Sequence, residues 1–225
     1  KRHGAFGVEA YRDMGFLPEA INNYLLRLGW SHGDEEIISQ EQAIEWFDLD
    51  AVGKSASRFD MDKLSSLNSH YINEADNDRL VELILPEVLK MLDGNVAVEA
   101  ESRLKLGMDS LKYRAKNIQE LSKNAVFYAT NRPVKITPKA AKNLDQNSLD
   151  ILAKVRTELA EIDAWNHETV NQITRDLAEN EDVGLGKIAQ PLRSALSGFH
   201  ASPGIFEVME ILGKEESLAR LDDVL

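Results

Sequence analysis

Ten basic residues fall between Arg103 and Lys142: Arg103, Lys105, Lys112, Arg114, Lys116, Lys123, Arg132, Lys135, Lys139 and Lys142. Only Asp109 and Glu120 oppose them. The window therefore carries +8 in a chain of net charge −12, which leaves −20 for the rest. A cluster of cations in an acidic protein suits local contact with a polyanion, while the acidic surroundings discourage unspecific binding. The competing reading is a solvated, lysine-rich helix face, and charge alone does not separate the two.

The templates for catalysis are not met. The five histidines, His3, His32, His70, His167 and His200, are scattered, with no i, i+4 pair and no partner at ligand spacing, so no metal site is expected. Gly184-Leu185-Gly186-Lys187 has a superficial likeness to a phosphate loop, but it lacks the earlier glycine and the trailing Ser or Thr. It reads as a turn between helices. There are no cysteines, hence no disulfide, no thiolate ligand and no cysteine nucleophile. Carboxylates are plentiful, yet none can be paired for acid–base work from sequence alone.

The elements that must position these residues read as helices almost throughout. Pro18 suits a first helical position, Ile21, Tyr24, Leu25 and Leu28 form an apolar stripe, and Gly29 stops the helix. Ser39 with Gln42 is a capping box, opening a helix expected to bury Ile44 and Phe47. Leu80, Leu83, Ile84 and Val88 predict a helix over 77–92, kinked or divided at Pro86. From Glu99 to Tyr128 one long helix is expected. Leu104, Met108, Leu111, Ala115, Ile118 and Ala125 lie on its apolar stripe, and Lys105, Lys112, Lys116 and Lys123 on a neighbouring one. Thr137-Pro138 starts another helix, Leu149, Leu152, Leu159 and Ile162 mark the next, and Asn166 caps the one after. Ile188, Leu192 and Leu196 predict a short helix. Ser202 is expected to cap the last, with Pro203 in its first turn and Gly213 just past its end. Strand alternation is almost absent, so the fold class is all-α. Two units are expected: residues 1–75, and residues 76–225 with a division near 133–137.

A chain of 225 residues can bury a real core. No run approaches the roughly 18 apolar residues that span a bilayer, and Lys1-Arg2-His3-Gly4 is not a signal peptide. The absence of cysteine fits a reducing compartment. With no initiating Met, the chain is expected to begin inside a longer polypeptide.

Lys1-Arg2-His3-Gly4-Ala5 at the start, with Gly186-Lys187-Ile188-Ala189-Gln190-Pro191-Leu192-Arg193, Ser202-Pro203-Gly204-Ile205-Phe206-Glu207-Val208 and Leu212-Gly213-Lys214-Glu215 near the end, make the chain resemble the C-terminal half of bacterial glutamyl-tRNA synthetases. Lys1-Arg2-His3-Gly4-Ala5 is similar to the end of the family's Lys-Leu-Ser-Lys-Arg loop and the His-Gly-Ala after it. Asn23-Tyr24-Leu25-Leu26-Arg27-Leu28-Gly29-Trp30-Ser31 is similar to Asn-Tyr-Leu-x-x-Leu-Gly-Trp-Ser. Arg58-Phe59-Asp60 with Lys63-Leu64 and Leu67-Asn68 is similar to Arg-Phe-Asp-x-x-Lys-Leu-x-Trp-Leu-Asn, with Ser66 in place of the Trp.

The resemblance implies a helical stem-contact domain followed by a two-part helical anticodon-binding domain. The whole enzyme would be a class I glutamate–tRNA ligase, joining glutamate to tRNA(Glu) with ATP and Mg. By the same likeness, Lys1 would contact ATP phosphates, Lys63 a tRNA phosphate, and Arg114 would test the third anticodon base. Gln190, Arg193, Ser202, Pro203, Ile205 and Phe206 would meet the anticodon bases. Splayed bases are stacked on apolar side chains and hydrogen-bonded at their edges, work that suits Gln, Arg and a helix start. Lys112 and Lys116, on the basic stripe, would touch phosphate. Without the nucleotide fold, this chain by itself is expected to be inactive, monomeric, cytoplasmic and without a cofactor. Its partner is tRNA(Glu), joined by tRNA(Gln) if the whole enzyme does not discriminate. The alternative function is a helical protein–protein adaptor with no role in RNA binding.

Overall fold

The computed structural model describes residues 7–54 and 57–225. Among these the only regular elements are helices: α1 (Val8–Asp13), α2 (Pro18–Gly29), α3 (Gln40–Trp46), a 3-10 turn (Leu49–Ala51), α4 (Met61–Glu74), α5 (Asn77–Met91), α6 (Ala100–Lys112), α7 (Ile118–Ala129), α8 (Pro138–Ala141), α9 (Gln146–Ala160), α10 (His167–Asn180), α11 (Gly186–Ser197), α12 (Ile205–Leu212) and α13 (Lys214–Asp222). Extended pairing is limited to two isolated bridges, Trp30 with Val52 and Val96 with Thr130. The chain divides into unit 1, residues 1–87 with 111–123, and unit 2, residues 88–110 with 124–225.

Unit 1 is organised by α2 against α4, with Phe16, Tyr24 and Leu64 at its centre. Polar residues of the sequence motifs do the tying. Asn68 is buried in α4. Its Oδ1 accepts the Leu17 amide at 2.7 Å and its Nδ2 donates to the Lys116 carbonyl at 2.7 Å. Asn23 accepts from the Ile38 amide and from the Tyr71 hydroxyl. Tyr24 accepts the Asp60 amide at 2.5 Å, and Asp60 in turn caps α4 through the amides of Asp62 and Lys63. Gly15 holds φ +84°, and a Cβ there would meet the backbone nitrogens of Ile118 and Gln119 at 2.8 Å. That close approach, in a left-handed conformation, requires glycine.

Unit 2 packs α9 against α10, α11 and α13, with α12 on α10, α11 and α13. Where α9 packs on α11, Leu152, Val155 and Leu159 of the one and Ile188, Leu192 and Leu196 of the other are without solvent exposure. The caps read from sequence are present. The Thr137 hydroxyl accepts the Ala140 amide, and the Asn166 side chain accepts the Thr169 amide.

Four expectations are corrected. The long helix from Glu99 to Tyr128 is two helices, α6 and α7. The break is made by Asn117, which accepts the Glu120 amide at 2.8 Å, while Glu120 accepts the Lys116 amide. The apolar stripe persists through the break, since all six of its residues are buried, so periodicity alone could not reveal it. Ile44 and Phe47 are 74% and 46% exposed. α3 is short, and the burial expected of it is supplied by Ile38 just before it. Of the kink or division expected at Pro86, the division is not made: α5 runs through it. The final expected helix is α12 followed by α13. It starts at Ile205 with Gly204 at the N-cap, and the Ser202 hydroxyl is used elsewhere.

Candidate nucleic-acid interface

In unit 2, α11 buries Ile188, Leu192 and Leu196 and turns Gln190 and Arg193, one turn apart, to its partly solvated side. The helix ends at Gly198, with φ +76°. Its carbonyl accepts from both the amide and the hydroxyl of Thr137 at 2.9 Å. A Cβ on Gly198 would lie 2.5 Å from the Lys135 carbonyl oxygen. The chain can therefore fold sharply back over α11 only with glycine at this point.

The returning loop meets the α11 side chains. Arg193 Nε donates to Ser202 Oγ at 3.0 Å, and Arg193 Nη1 donates to Gln190 Oε1. Gln190 Nε2 reaches the His200 carbonyl at 3.4 Å, and Ser202 Oγ donates to the Pro203 carbonyl at 2.9 Å. Asn143, just beyond α8, donates to Ser194 Oγ at 3.0 Å and lies 3.4 Å from His200 Nδ1. Gln190, Arg193 and Ser202 thus form one half-buried hydrogen-bonded group. Pro203 and Ile205 are buried beneath the loop, and the half-buried Phe206 ring stands edge-on to His167 at 6.1 Å. A planar guanidinium and an amide, held against each other at the edge of an apolar floor, can hydrogen-bond the edges of an unpaired base. Of the six sequence-predicted residues, hydrogen bonds bring together Gln190, Arg193, Ser202 and the Pro203 carbonyl, Ser202 through its hydroxyl and not through a helix cap, while Ile205 and Phe206 follow in the first turn of α12.

Lys135, Lys139 and Lys142 are exposed on the segment that Thr137 and Asn143 fasten to this loop. Sequence reasoning placed them in the basic window but did not connect them with Arg193, because the link is a tertiary hydrogen bond.

The window itself is divided. Arg103 is buried in unit 2, 3.8 Å from both Glu99 and Glu216, and Arg132 pairs with Asp223 at 3.2 Å. Lys105 pairs with Glu101 at 3.4 Å. In unit 1, Lys112 is only 9% exposed, and its ammonium donates to the Ala75 carbonyl and to Asn77 Oδ1 at 3.0 Å. That joins the end of α4 to the start of α5 and does not match a surface phosphate contact. Lys112→Met is expected to lower stability by about 1 kcal/mol through the lost charge-assisted bonds. A thermal melt checks this, and an unchanged Tm would return Lys112 to the surface. Arg114, Lys116 and Lys123 are exposed. Lys63, exposed in the first turn of α4, lines a groove of about 1130 Å³ together with Arg27 and Arg58. Lys1 lies outside the described residues.

Among the described residues no group of three or more His, Asp or Glu could hold a metal, and no helix is long and apolar enough to cross a membrane.

The family model described as the anticodon binding domain matches residues 79–225. That of the class I tRNA synthetases (E and Q), catalytic domain, matches residues 1–66. Glutamate–tRNA ligase 2 of Zymomonas mobilis is 55% identical over 226 residues, covering 100% of this chain and 47% of that protein. Glutamate–tRNA ligase 2 of Paramagnetospirillum magneticum gives the same figures, 55% identity, 100% and 47%. The chain thus spans about half the length of the curated relatives it matches. A crystal structure of a glutamate tRNA ligase from Elizabethkingia meningosepticum, in complex with its amino acid, superposes with a TM-score of 0.79 at 28% identity, over 95% of this chain and 42% of that one.

Proposed function

This chain belongs to the anticodon-binding domain family, and we propose that it is the tRNA-binding, anticodon-reading portion of a glutamate–tRNA ligase. The observation that carries this reading is the Gln190–Arg193–Ser202 group, held by a loop that only glycine at position 198 permits. Prepaid order of this kind lowers the entropic cost of gripping a base. The bases contacted would be those of the anticodon of tRNA(Glu). Arg114, on unit 1, would test the third of them, and it would admit tRNA(Gln) if that test is lax. Lys63 and Lys116 would hold phosphates, which position an RNA without reading it. The whole ligase would be a cytoplasmic monomer that activates glutamate with ATP and Mg. Lys1 is the residue of this chain that would approach the nucleotide. A lysine ammonium near a transferring phosphoryl group supplies electrostatic stabilisation of the developing charge.

The test is binding of the chain to tRNA(Glu) across a salt series. Each phosphate contact contributes a slope of roughly 0.7 to 0.9 in log K against log salt. Lys116→Glu should weaken binding to all tRNAs alike and flatten that slope. Absence of tRNA binding at low salt would overturn this reading.

A further inference from the structure

We propose that Tyr113 is a stacking platform for an unpaired RNA base, set beside Arg114 and Lys116 on a rigid corner of unit 1. The proposal rests on the RNA-binding reading above and adds to it a contact that sequence likeness does not assign. Tyr113 is 69% exposed. Exposed tyrosines are common where the backbone beneath them is loose, but here it is fixed. The Arg114 amide donates to the Leu111 carbonyl at 3.1 Å and the Ala115 amide to the Lys112 carbonyl at 3.3 Å. The Ala115 carbonyl accepts Ser69 Oγ at 3.1 Å, and the Lys116 carbonyl accepts Asn68 Nδ2 at 2.7 Å. The Lys116 amide donates to Glu120 at 2.9 Å, and the Ile118 amide to the Gly15 carbonyl at 2.9 Å. Ala115 is buried between the two cations as the corner's anchor.

An anchored backbone leaves only the two side-chain torsions of Tyr113 to order on binding, so little of the stacking energy is spent. Tyr113-Arg114-Ala115-Lys116-Asn117 has no carboxylate of its own, and the Glu120 carboxylate that reaches this corner is taken by the Lys116 amide. An aromatic face beside cations is the pairing that single-stranded RNA calls for: the base on the ring, a flanking phosphate on Lys116, and Arg114 left to meet a base edge.

The experiment uses an anticodon-arm hairpin of tRNA(Glu) with 2-aminopurine at successive loop positions, titrated with the 225-residue chain. Anisotropy and 2-aminopurine fluorescence are read for the wild type, Tyr113→Ala and Tyr113→Phe. Wild type should quench one loop position. Tyr113→Ala should bind about tenfold more weakly and lose the quench, in line with the energy of one base–aromatic stack. Tyr113→Phe should keep both. If Tyr113→Phe behaves like Tyr113→Ala, the hydroxyl and not the ring makes the contact, and the platform is overturned. A large fall in Tm for Tyr113→Ala would likewise overturn it by making the ring structural. Unchanged binding and quench in Tyr113→Ala would sink the platform alone. Absence of any hairpin binding by the wild type would sink it together with the RNA-binding reading.

Discussion

Replacing Arg220 with Ala is expected to destabilise unit 2 by about 3 to 5 kcal/mol, the usual cost of removing one partner from a buried charge network. In a chain of this size that is a fall in Tm on the order of 10 °C. Arg220 is 1% exposed. Its Nη1 donates to the carbonyls of Phe127 at 3.1 Å and Leu196 at 2.6 Å, its Nη2 to that of Thr130 at 3.1 Å, and its Nε to Glu216 at 2.6 Å. Phe127 and Leu196 lie in the last turns of α7 and α11, where helix carbonyls have no partner of their own. One guanidinium from α13 therefore caps two helix ends. Burial pulls its pKa down, and the hydrogen bond and charge of Glu216 oppose that pull. Alanine would leave two unmet carbonyls at the helix ends and a third at Thr130, with Glu216 facing only Arg103 and Arg132. Arg220→Lys keeps the charge but presents a compact ammonium in place of the planar fork, and should fall between wild type and alanine. Denaturant unfolding measures the series. A loss below about 1 kcal/mol for alanine would mean that water reaches these carbonyls.

Arg220 also marks the limit of what the sequence discloses. Nothing about an arginine in Leu218-Ala219-Arg220-Leu221 announces that it is buried, because its partners are carbonyls 24 to 93 residues away. Lys112 and Arg103 are the same case. Each was counted as a surface cation, since charge is legible in a sequence and its tertiary partner is not. Local chemistry was legible. The Ser39–Gln42 box, the Thr137 and Asn166 caps and the glycine stop at Gly213 are short-range patterns, and each appears where it was expected. Asn117 followed by Glu120 carries the same kind of short-range signal, but the apolar stripe runs unbroken across it and masks the division of the helix over 99–128. Ser202-Pro203 misled for the opposite reason. It is a strong helix-start pair, but the hydroxyl is taken by Arg193, and α12 waits until Ile205. The family motifs had a further meaning that the sequence did not reveal. Asn23, Tyr24, Asp60 and Asn68 are hydrogen-bonding residues that hold unit 1 together, so that likeness speaks first for a fold and only through it for RNA.

Arg193→Ala should separate cognate from non-cognate tRNA. If Arg193 faces a base edge, its loss removes about 1 to 3 kcal/mol for tRNA(Glu) and much less for a tRNA altered in the anticodon. The structure adds a condition. Arg193 is held from two sides, by Gln190 and by Ser202, so part of the effect is orientation. Gln190→Ala should then weaken the same tRNA. The double variant should lose less than the sum of the two single losses, because both substitutions break one shared contact. All three residues are half-buried, not core, so the substitutions should cost the one or two hydrogen bonds they break, about 1 kcal/mol each, and leave the fold intact. The measurement is binding of wild type, both single variants and the double variant to cognate and anticodon-altered tRNA, with a melt of each protein. Equal losses on both tRNAs would make Arg193 a phosphate clamp. Additive losses would separate Gln190 from it. A large fall in Tm would assign the group to folding, and the anticodon assignment would then fail.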